Sequence, residues 1–298
     1  MILVTGGTGF IGQALIKNLV SLGYPVRLLI NPSGKSPRIP RGIAVDVAIS
    51  GIDDERNLRA AMKDVQIVFH LIGTEWKGID AEYSTVDIPA AKTISAVAAQ
   101  MGVERFFYLS HLGADKASAY PVLQAKALCE AAVIASGVPY TILETAPVYG
   151  KGDHFTESFA RLVRKVPFAV PLPGSGETKI QPIWIDDLIT CLLLCLDDSK
   201  SIHRTFQIGG MEILSIRECL ELIMEQIQVK KGFLNIPPVW LRGLLIAMEQ
   251  WFEKAPKIYF WSDYLAEDRI TALDVLPREF SLIPTRMSRN LGYLTEAS

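Results

Sequence analysis

Long apolar runs are missing from this 298-residue chain: none reaches the ~18 residues that a bilayer-spanning helix needs. Histidine is sparse, and its four residues contain no H-x-x-x-H pair, so no metal site is expected. Cysteine is equally sparse. Cys129, Cys191, Cys195 and Cys219 show no C-x-x-C spacing, and Cys191 and Cys195 stand one helical turn apart in an apolar run, as buried thiols of a reducing compartment do. Neither sign of charge is in excess: the net charge of −2 gives a nucleic acid nothing to hold. Repeats and low-complexity linkers are absent too. With 49% hydrophobic and 21% charged residues the chain is globular, long enough for one large α/β domain and a smaller lobe. The first apolar run begins at residue 2, so no signal or transit peptide is expected. The expected location is the cytoplasm, with peripheral attachment to a membrane left open.

What is present is concentrated at the start, in Ile2-Leu3-Val4-Thr5-Gly6-Gly7-Thr8-Gly9-Phe10-Ile11-Gly12. An apolar run ends in three glycines at G-x-x-G-x-x-G spacing, and an amphipathic pattern follows at once (Phe10, Ile11, Leu15, Ile16, Leu19, Val20). This predicts strand, tight turn and helix. Gly6 lets the chain turn, Gly9 lets backbone approach a phosphate, and Gly12 lets the helix pack closely. The N–H groups of the helix start then face a pyrophosphate. Gly6, Thr8, Gly9, Phe10, Ile11 and Gly12 are accordingly expected to hold a nicotinamide dinucleotide.

Strand-like runs alternate with helical patterns through the first half. Strands are expected at 26–30, 43–45, 67–71, 106–109 and 140–143, with helical segments at 58–62, 85–101 and 124–136. Such alternation predicts a Rossmann fold: a doubly wound parallel sheet with right-handed crossovers. After Gly150 prolines and glycines cluster, then 179–185 reads as one more strand running into a helix at 186–196. The expectation is a dinucleotide-binding domain over 1–150, completed by about 179–197. Residues 151–178 and 198–298 would form a smaller, mostly helical C-terminal lobe.

A unit specific for NAD(H) ends its second strand in an acidic residue that holds the ribose 2′-OH. Here Val26-Arg27-Leu28-Leu29-Ile30 ends in Asn31, and the next loop carries Lys35, Arg38 and Arg41. A missing acid beside three bases favours a 2′-phosphate, hence NADP(H) over NAD(H). Asp46 and Val47, read as the end of the third strand, would meet the adenine edge. Leu71, Ile72 and Gly73 would form the floor beneath the dinucleotide.

The chain resembles extended short-chain dehydrogenase/reductases, most closely the atypical branch with the nucleotide-binding accessory subunit of respiratory complex I and NmrA-like proteins. The resemblance covers nearly the whole chain. It rests on the glycine segment, Gly102-Val103-Glu104-Arg105-Phe106, Ser110-His111-Leu112-Gly113-Ala114-Asp115, Lys126 with Glu130, and Gln181-Pro182-Ile183-Trp184-Ile185-Asp186-Asp187. Leu276-Pro277-Arg278-Glu279-Phe280 and Leu291-Gly292-Tyr293-Leu294 extend it to the tail. The resemblance implies that Lys126 binds the nicotinamide ribose and that Pro147 and Val148 lie beside the nicotinamide amide. It also implies a Tyr four residues before the Lys, on the same helix face, as acid/base. That position is Val122, and the expected orienting hydroxyl reads Leu112. Three readings stand. Tyr120 or His111 substitutes as the acid; or the substrate is a hydrophobic carbonyl or quinone-like acceptor needing little protein acid/base help; or the nucleotide is bound and not turned over, in an accessory subunit or assembly factor of a larger complex.

Asp186 and Asp187 read as a helix N-cap rather than a catalytic pair, and Glu75 and Trp76, after the fourth strand, as a surface loop rather than a lining of the cleft. Further on, Leu241, Leu244, Leu245, Met248 and Phe252 make one helical stripe, widened by Trp240 and Trp251. It reads as a core helix of the lobe or, over 237–254, as a face for a hydrophobic small molecule, a membrane surface or a protein complex. Lys230, Lys231, Lys254 and Lys257 flank it.

Overall fold

The alternation of strand and helix patterns condenses into one large sheet covered by helices. The structure is a computed structural model and describes residues 1–32, 42–251 and 258–296. Its first half runs β1 (Ile2–Thr5), α1 (Phe10–Ser21), β2 (Val26–Ile30), β3 (Asp46–Ile49), α2 (Glu55–Ala61), β4 (Ile67–His70), α3 (Ile88–Gln100), β5 (Arg105–His111), α4 (Pro121–Ala135) and β6 (Tyr140–Thr145). There follow β7 (Val148–Tyr149), α5 (Thr156–Lys165), β8 (Ala169–Pro173), β9 (Lys179–Ile180), β10 (Ile183–Trp184), α6 (Ile185–Asp197) and β11 (Arg204–Ile208). The rest is β12 (Leu214–Ser215), α7 (Ile216–Gln226), β13 (Gly232–Ile236), α8 (Pro238–Trp251), α9 (Tyr259–Tyr264), α10 (Val275–Phe280) and α11 (Tyr293–Glu296).

The large sheet has the order β11-β6-β5-β4-β1-β2-β3, so the strand order reverses beside β1. Pairings from β3 through β2, β1 and β4 to β5 are all parallel. All four residues of β1 are buried, as a central parallel strand covered on both faces requires. On one face Leu3, Val68, Phe106 and Ile142 pack against Ala90, Ala91, Ile94 and Ala98 of α3 and Cys129 and Val133 of α4. The alanines of α3 let that helix lie close to the strands. All four cysteines are buried thiols.

The described residues divide into two compact units. The first comprises Met1–Thr74, Glu82–Glu144 and Ile189–Phe206, and the second Glu75–Ala81, Thr145–Leu188 and Gln207–Ser298. Residues 198–206, expected in the smaller lobe, instead belong to the first unit, because β11 is the seventh strand of the large sheet. In the second unit short strands pair two by two: β10 with β7, β12 with β9, and β13 with β8. The single strand expected over 179–185 is therefore two short ones, separated by Gln181 and Pro182; the Gln181 side chain donates to Gly210 O (2.7 Å) and accepts from Thr271 N (2.8 Å). Among the described residues no helix is long and apolar enough to cross a membrane.

The third strand is displaced from its expected place. It covers Asp46–Ile49 rather than 43–45; as an exposed edge strand it leaves even Val47 and Ile49 at the surface, so the apolar residues on either side of Asp46 do not show where it begins. Its register is held by Arg27, which donates to Asp46 (2.7 Å) and, through its second nitrogen, to Ala61 O and Lys63 O.

Candidate functional site

The turn after β1 is built around backbone approaches that exclude side chains. Gly6 has φ +70°, and a Cβ there would lie 2.5 Å from Leu71 O. A Cβ at Gly12 would stand 2.5 Å from both Gly6 O and Gly7 Cα, so α1 presses directly on the turn. Gly7, unremarked in the sequence, is also closely packed: a Cβ there would meet Leu28 Cδ1 and Ile16 Cδ1, so those side chains would have to shift. Gly9 N donates to Gly6 O (3.1 Å) and Gln13 N to Gly9 O (2.9 Å), closing the loop onto the helix. Thr8 and Gly9 are exposed at its tip, and Phe10 and Ile11 open the helix half-buried. No side chain caps α1 and its first turn holds no acid, so its N–H groups and positive dipole end face outward.

Leu71, Ile72 and Gly73 follow β4 directly against this turn: Leu71 N donates to Thr5 O (3.1 Å), and Leu71 O is the atom that excludes a Cβ at Gly6. Asn31 follows the carboxyl end of β2 and is exposed. These residues share the carboxyl edge of the sheet, where its strand order reverses. Lys35, Arg38 and Arg41 lie outside the described residues.

Asp46 and Val47 do not belong with them. Asp46 pairs with Arg27 near the start of β2, whereas the carboxyl end of β3 is Ile49, followed by Ser50, whose N–H donates to Ile30 O. The adenine-edge role assigned to Asp46 and Val47 followed from ending the strand too early. Asp46 is instead half of a surface ion pair with Arg27, whose hydrogen bond holds its carboxyl below the usual range.

A second group of polar side chains is buried behind the turn, within the first unit. Lys126 is 4% exposed on α4. Val122, one turn earlier at the place of the family tyrosine, is equally buried. Tyr120 precedes the helix with extended backbone (φ −97°, ψ 117°), and its carbonyl accepts from Leu123 N and Gln124 N. It is the helix cap, off the Lys126 face. His111 ends β5, half-buried. Pro147 and Val148 belong to the second unit, where Ile183 N donates to Pro147 O (2.9 Å) and Val148 pairs with Ile183.

Around Lys126 the structure gathers groups that the sequence only half revealed. Ser110 donates to Glu130, one turn after Lys126. Burial pushes the Glu130 carboxyl up to about 7; the Ser110 hydroxyl pulls it down, Glu144 pushes it up and Lys126 pulls it down. His70 ends β4 opposite Thr5, and the threonine hydroxyl and His70 Nδ1 are 2.8 Å apart. Burial, then Lys126, lowers this histidine to about 3, so it is neutral throughout the physiological range. The i, i+4 spacing of Lys126 and Glu130 is visible in the sequence; the Thr5–His70 pair depends on strand register and left no local signal.

The Glu130 environment gives a pH dependence with a definite sign. Below about pH 4.5 folded and unfolded chains are both protonated there, and the stability contribution is complete. It declines as pH rises, and is gone above about 7, a loss of about 3 kcal/mol. Glu130→Gln keeps an acceptor for Ser110 and removes the titration. Urea unfolding at pH 5 and pH 8 is expected to show a difference smaller by about 2–3 kcal/mol in the variant than in the parent chain. Equal slopes would show that Glu130 ionises alike in both states.

Elsewhere the second unit corrects three local expectations. Asp187 is in the first turn of α6 but accepts from Thr285 N (2.7 Å) and Thr285 Oγ1 (3.2 Å), so it fastens a distant loop instead of capping its helix. Glu75 is buried, and Trp76 stacks on His154 (4.8 Å) and meets Phe260 edge-on (4.9 Å), so this is no surface loop. On α8 the buried residues are Leu241, Leu245 and Glu249. Glu249 faces inward because its carboxylate accepts from Ile79 N (2.9 Å) and Tyr259 N (2.7 Å). Trp240, Leu244 and Trp251 are left on the exposed face, with Trp240 and Trp251 at 75% and 79%. Phe252, Lys254 and Lys257 lie outside the described residues. Among the described residues no three His, Cys, Asp or Glu side chains gather to hold a metal ion.

With this geometry in place, similarity to known proteins narrows the reading. A sequence profile of the NmrA-like family matches residues 1–271. The chain is 30% identical over 240 residues to the mitochondrial NADH dehydrogenase [ubiquinone] 1 alpha subcomplex subunit 9 of Arabidopsis thaliana, a match covering 78% of the chain and 60% of that subunit. The corresponding mouse subunit is 26% identical over 70% of the chain and is covered over 56% of its length. The chain thus spans less than two thirds of these relatives. It is 24% identical to phenylcoumaran benzylic ether reductase PT1 of Pinus taeda, covering 74% of the chain and 73% of the reductase. Among solved structures, the UDP-glucose 4-epimerase of Thermus thermophilus in complex with NAD superimposes with a TM-score of 0.74 at 18% identity, over 99% of the chain and 97% of the epimerase. That likeness establishes a shared Rossmann-type fold.

Proposed function

The chain belongs to the NmrA-like family of atypical short-chain dehydrogenase/reductases, and from that premise we propose that its first unit binds a nicotinamide dinucleotide, NADP(H) in preference to NAD(H). One observation carries the reading: the glycine-rich turn Gly6–Gly9, where a Cβ at Gly6 is excluded, opens uncapped onto α1, with Leu71–Gly73 lying against it. A pyrophosphate there meets free N–H groups and the positive end of the helix dipole. Thr8, Gly9, Phe10 and Ile11 would supply the contacts at the tip, and Leu71, Ile72 and Gly73 the floor. Asn31 in place of an acid, with Lys35 and Arg38 after it, supports the 2′-phosphate. The epimerase that shares this fold holds NAD, which supports the ligand class without choosing between the two.

For turnover, Lys126 would bind the nicotinamide ribose, and Tyr120 or His111 would have to replace the missing tyrosine. The buried Val122 and the cap position of Tyr120 weigh against strong acid/base catalysis. The chemistry that fits best is hydride transfer to a hydrophobic carbonyl or quinone-like acceptor, which needs chiefly positioning. A second reading, a catalytically silent subunit or assembly factor, is favoured by the exposed apolar face of α8, a contact surface for a protein complex or membrane surface. The complex I subunits among the relatives support it.

Titration of the purified full chain tests the cofactor assignment. NADPH is expected to bind at least about tenfold more tightly than NADH, a difference of about 1.4 kcal/mol, and Lys35→Ala with Arg38→Ala to erase that preference. Equal affinities would remove the 2′-phosphate assignment; millimolar binding of both would remove the cofactor itself. A panel of quinones and carbonyls then decides between the readings, since steady NADPH oxidation lost in Lys126→Ala excludes the silent one.

A further inference from the structure

The polar group around Lys126 holds more ionisable side chains than the binding of a ribose needs, all within the first unit. Lys126 on α4, Glu144 on β6 and His70 at the end of β4 are buried. Glu130 is half-buried one helical turn after Lys126, a spacing that brings side chains together, and it accepts from Ser110 of β5. Two carboxyls thus share the field of one ammonium: Lys126 favours the charged form of Glu130, and Glu144 opposes it. His70 adds no charge, since burial and Lys126 keep it neutral.

The other elements packed on α4 bring further titratable groups. His111 closes β5, and α3 carries Lys92, which is exposed. The turn before α3 carries Tyr83 and Asp87, whose carboxylate accepts from Thr74 N (3.1 Å). None of these is among the charges that act on Glu130.

Lys126 links the cluster to the nucleotide site. Its charge acts on His70, the residue before the floor residue Leu71, and also on Glu130. A dinucleotide whose nicotinamide ribose draws the ammonium toward itself takes that attraction away from Glu130. Its phosphates add negative charge to the same unit. Both changes favour the protonated carboxyl.

We propose, resting on the assignment of Lys126 to the nicotinamide ribose, that Glu130 is a positioning residue that takes up a proton as Lys126 engages the dinucleotide. One proton from solvent joins the carboxylate, and no other bond changes. Glu130 acts through Lys126 and touches no reacting atom. In the free chain its carboxyl titrates at about 7, so near neutral pH a charged fraction is present to accept the proton. Dinucleotide affinity therefore falls as pH rises.

Calorimetric titration of NADPH into the full chain at pH 7.5, in two buffers of different ionisation heat, tests this against Glu130→Gln, which resembles the protonated acid. The parent is expected to take up about half a proton more per dinucleotide than the variant. With the charged form held about tenfold less well in the complex, parent affinity falls about fivefold more than that of the variant between pH 6 and pH 8. Adenosine 2′,5′-bisphosphate carries the 2′-phosphate without the nicotinamide ribose, so its affinity is expected to follow pH alike in both chains. Lys126→Met serves where Glu130→Gln fails to fold, since the uptake disappears with the ammonium. Equal uptake and equal pH dependence in parent and variant would overturn the proposal and leave the cofactor reading standing. So would the same parent–variant difference with the bisphosphate, which would place the linkage at the phosphates. Failure of both NADPH and NADH to bind would remove the cofactor reading itself, and the proposal with it.

Discussion

Gly12→Ala is expected to destabilise the chain by about 2–4 kcal/mol and to abolish dinucleotide binding with the fold of the turn. The added methyl would stand 2.5 Å from Gly6 O and Gly7 Cα, both backbone atoms of a turn that is itself held against Leu71. Neither can retreat without moving α1 off the sheet, and Gly7 already sits against Leu28 and Ile16 with no space to spare. Gly9→Ala is the informative partner. There a methyl meets only Gly6 O, at 3.4 Å, and the backbone is extended (φ −79°, ψ 175°), so the folded chain tolerates it. The methyl instead occupies the ground over which a phosphate would approach. Stability close to that of the parent, with NADPH affinity reduced about a hundredfold (about 2.7 kcal/mol), is the expected result. Urea unfolding and nucleotide titration on the two variants measure both halves. Unchanged affinity in Gly9→Ala would place the pyrophosphate elsewhere.

Arg105→Leu is expected to cost about 3–5 kcal/mol, the largest loss from any single side chain outside the turn. Arg105 opens β5 and is 7% exposed. Its guanidinium donates to Thr141 Oγ1 (3.1 Å), Cys195 O (2.8 Å), Ser201 Oγ (2.6 Å) and Asp198 O (3.1 Å), and packs over Phe107. One planar group thereby joins β5 to β6 and to the connection between α6 and β11. Leucine fills part of the volume but leaves buried acceptors without their donor. Arg105→Lys is expected to recover only a fraction, because an ammonium on a flexible stem does not reproduce the fork. A loss below about 1 kcal/mol on urea unfolding would show that Ser201, which also donates to Cys195 O and Asp198 O, suffices alone.

The legible parts of this chain are those where one local pattern has one physical solution. An apolar run, three spaced glycines and an amphipathic run leave little choice but strand, turn and helix, and the structure follows that reading closely. The edge strand β3 was misplaced because residues 43–49 are apolar on both sides of Asp46 and an exposed edge does not choose between the halves; its register comes from Arg27, nineteen positions earlier than Asp46. Ending that strand too soon is what carried Asp46 and Val47 into the cofactor site. β11 escaped for another reason. Arg204-Thr205-Phe206-Gln207-Ile208 does alternate, with Phe206 and Ile208 buried, but five residues among helices are a weak signal. The buried polar group shows the same boundary: Lys126 and Glu130 share a helix face visible in the sequence, while Thr5 meets His70 only through the pairing of β1 with β4.

The sheet order has a consequence for how the protein is made. β6 is paired on one side by β5, and its other side waits for β11, which begins 59 residues after β6 ends. At ~5–20 residues per second, a ribosome takes several seconds to deliver that segment after β6 has emerged. During that interval the nascent sheet presents the bare edge of Tyr140-Thr141-Ile142-Leu143-Glu144-Thr145, a run with little charge to discourage pairing with another chain. Expression of a fragment ending near residue 150 would make that interval permanent, so aggregation is the fate to anticipate for an isolated N-terminal half. A division that retains the strand at 204–208 leaves the sheet closed on that side.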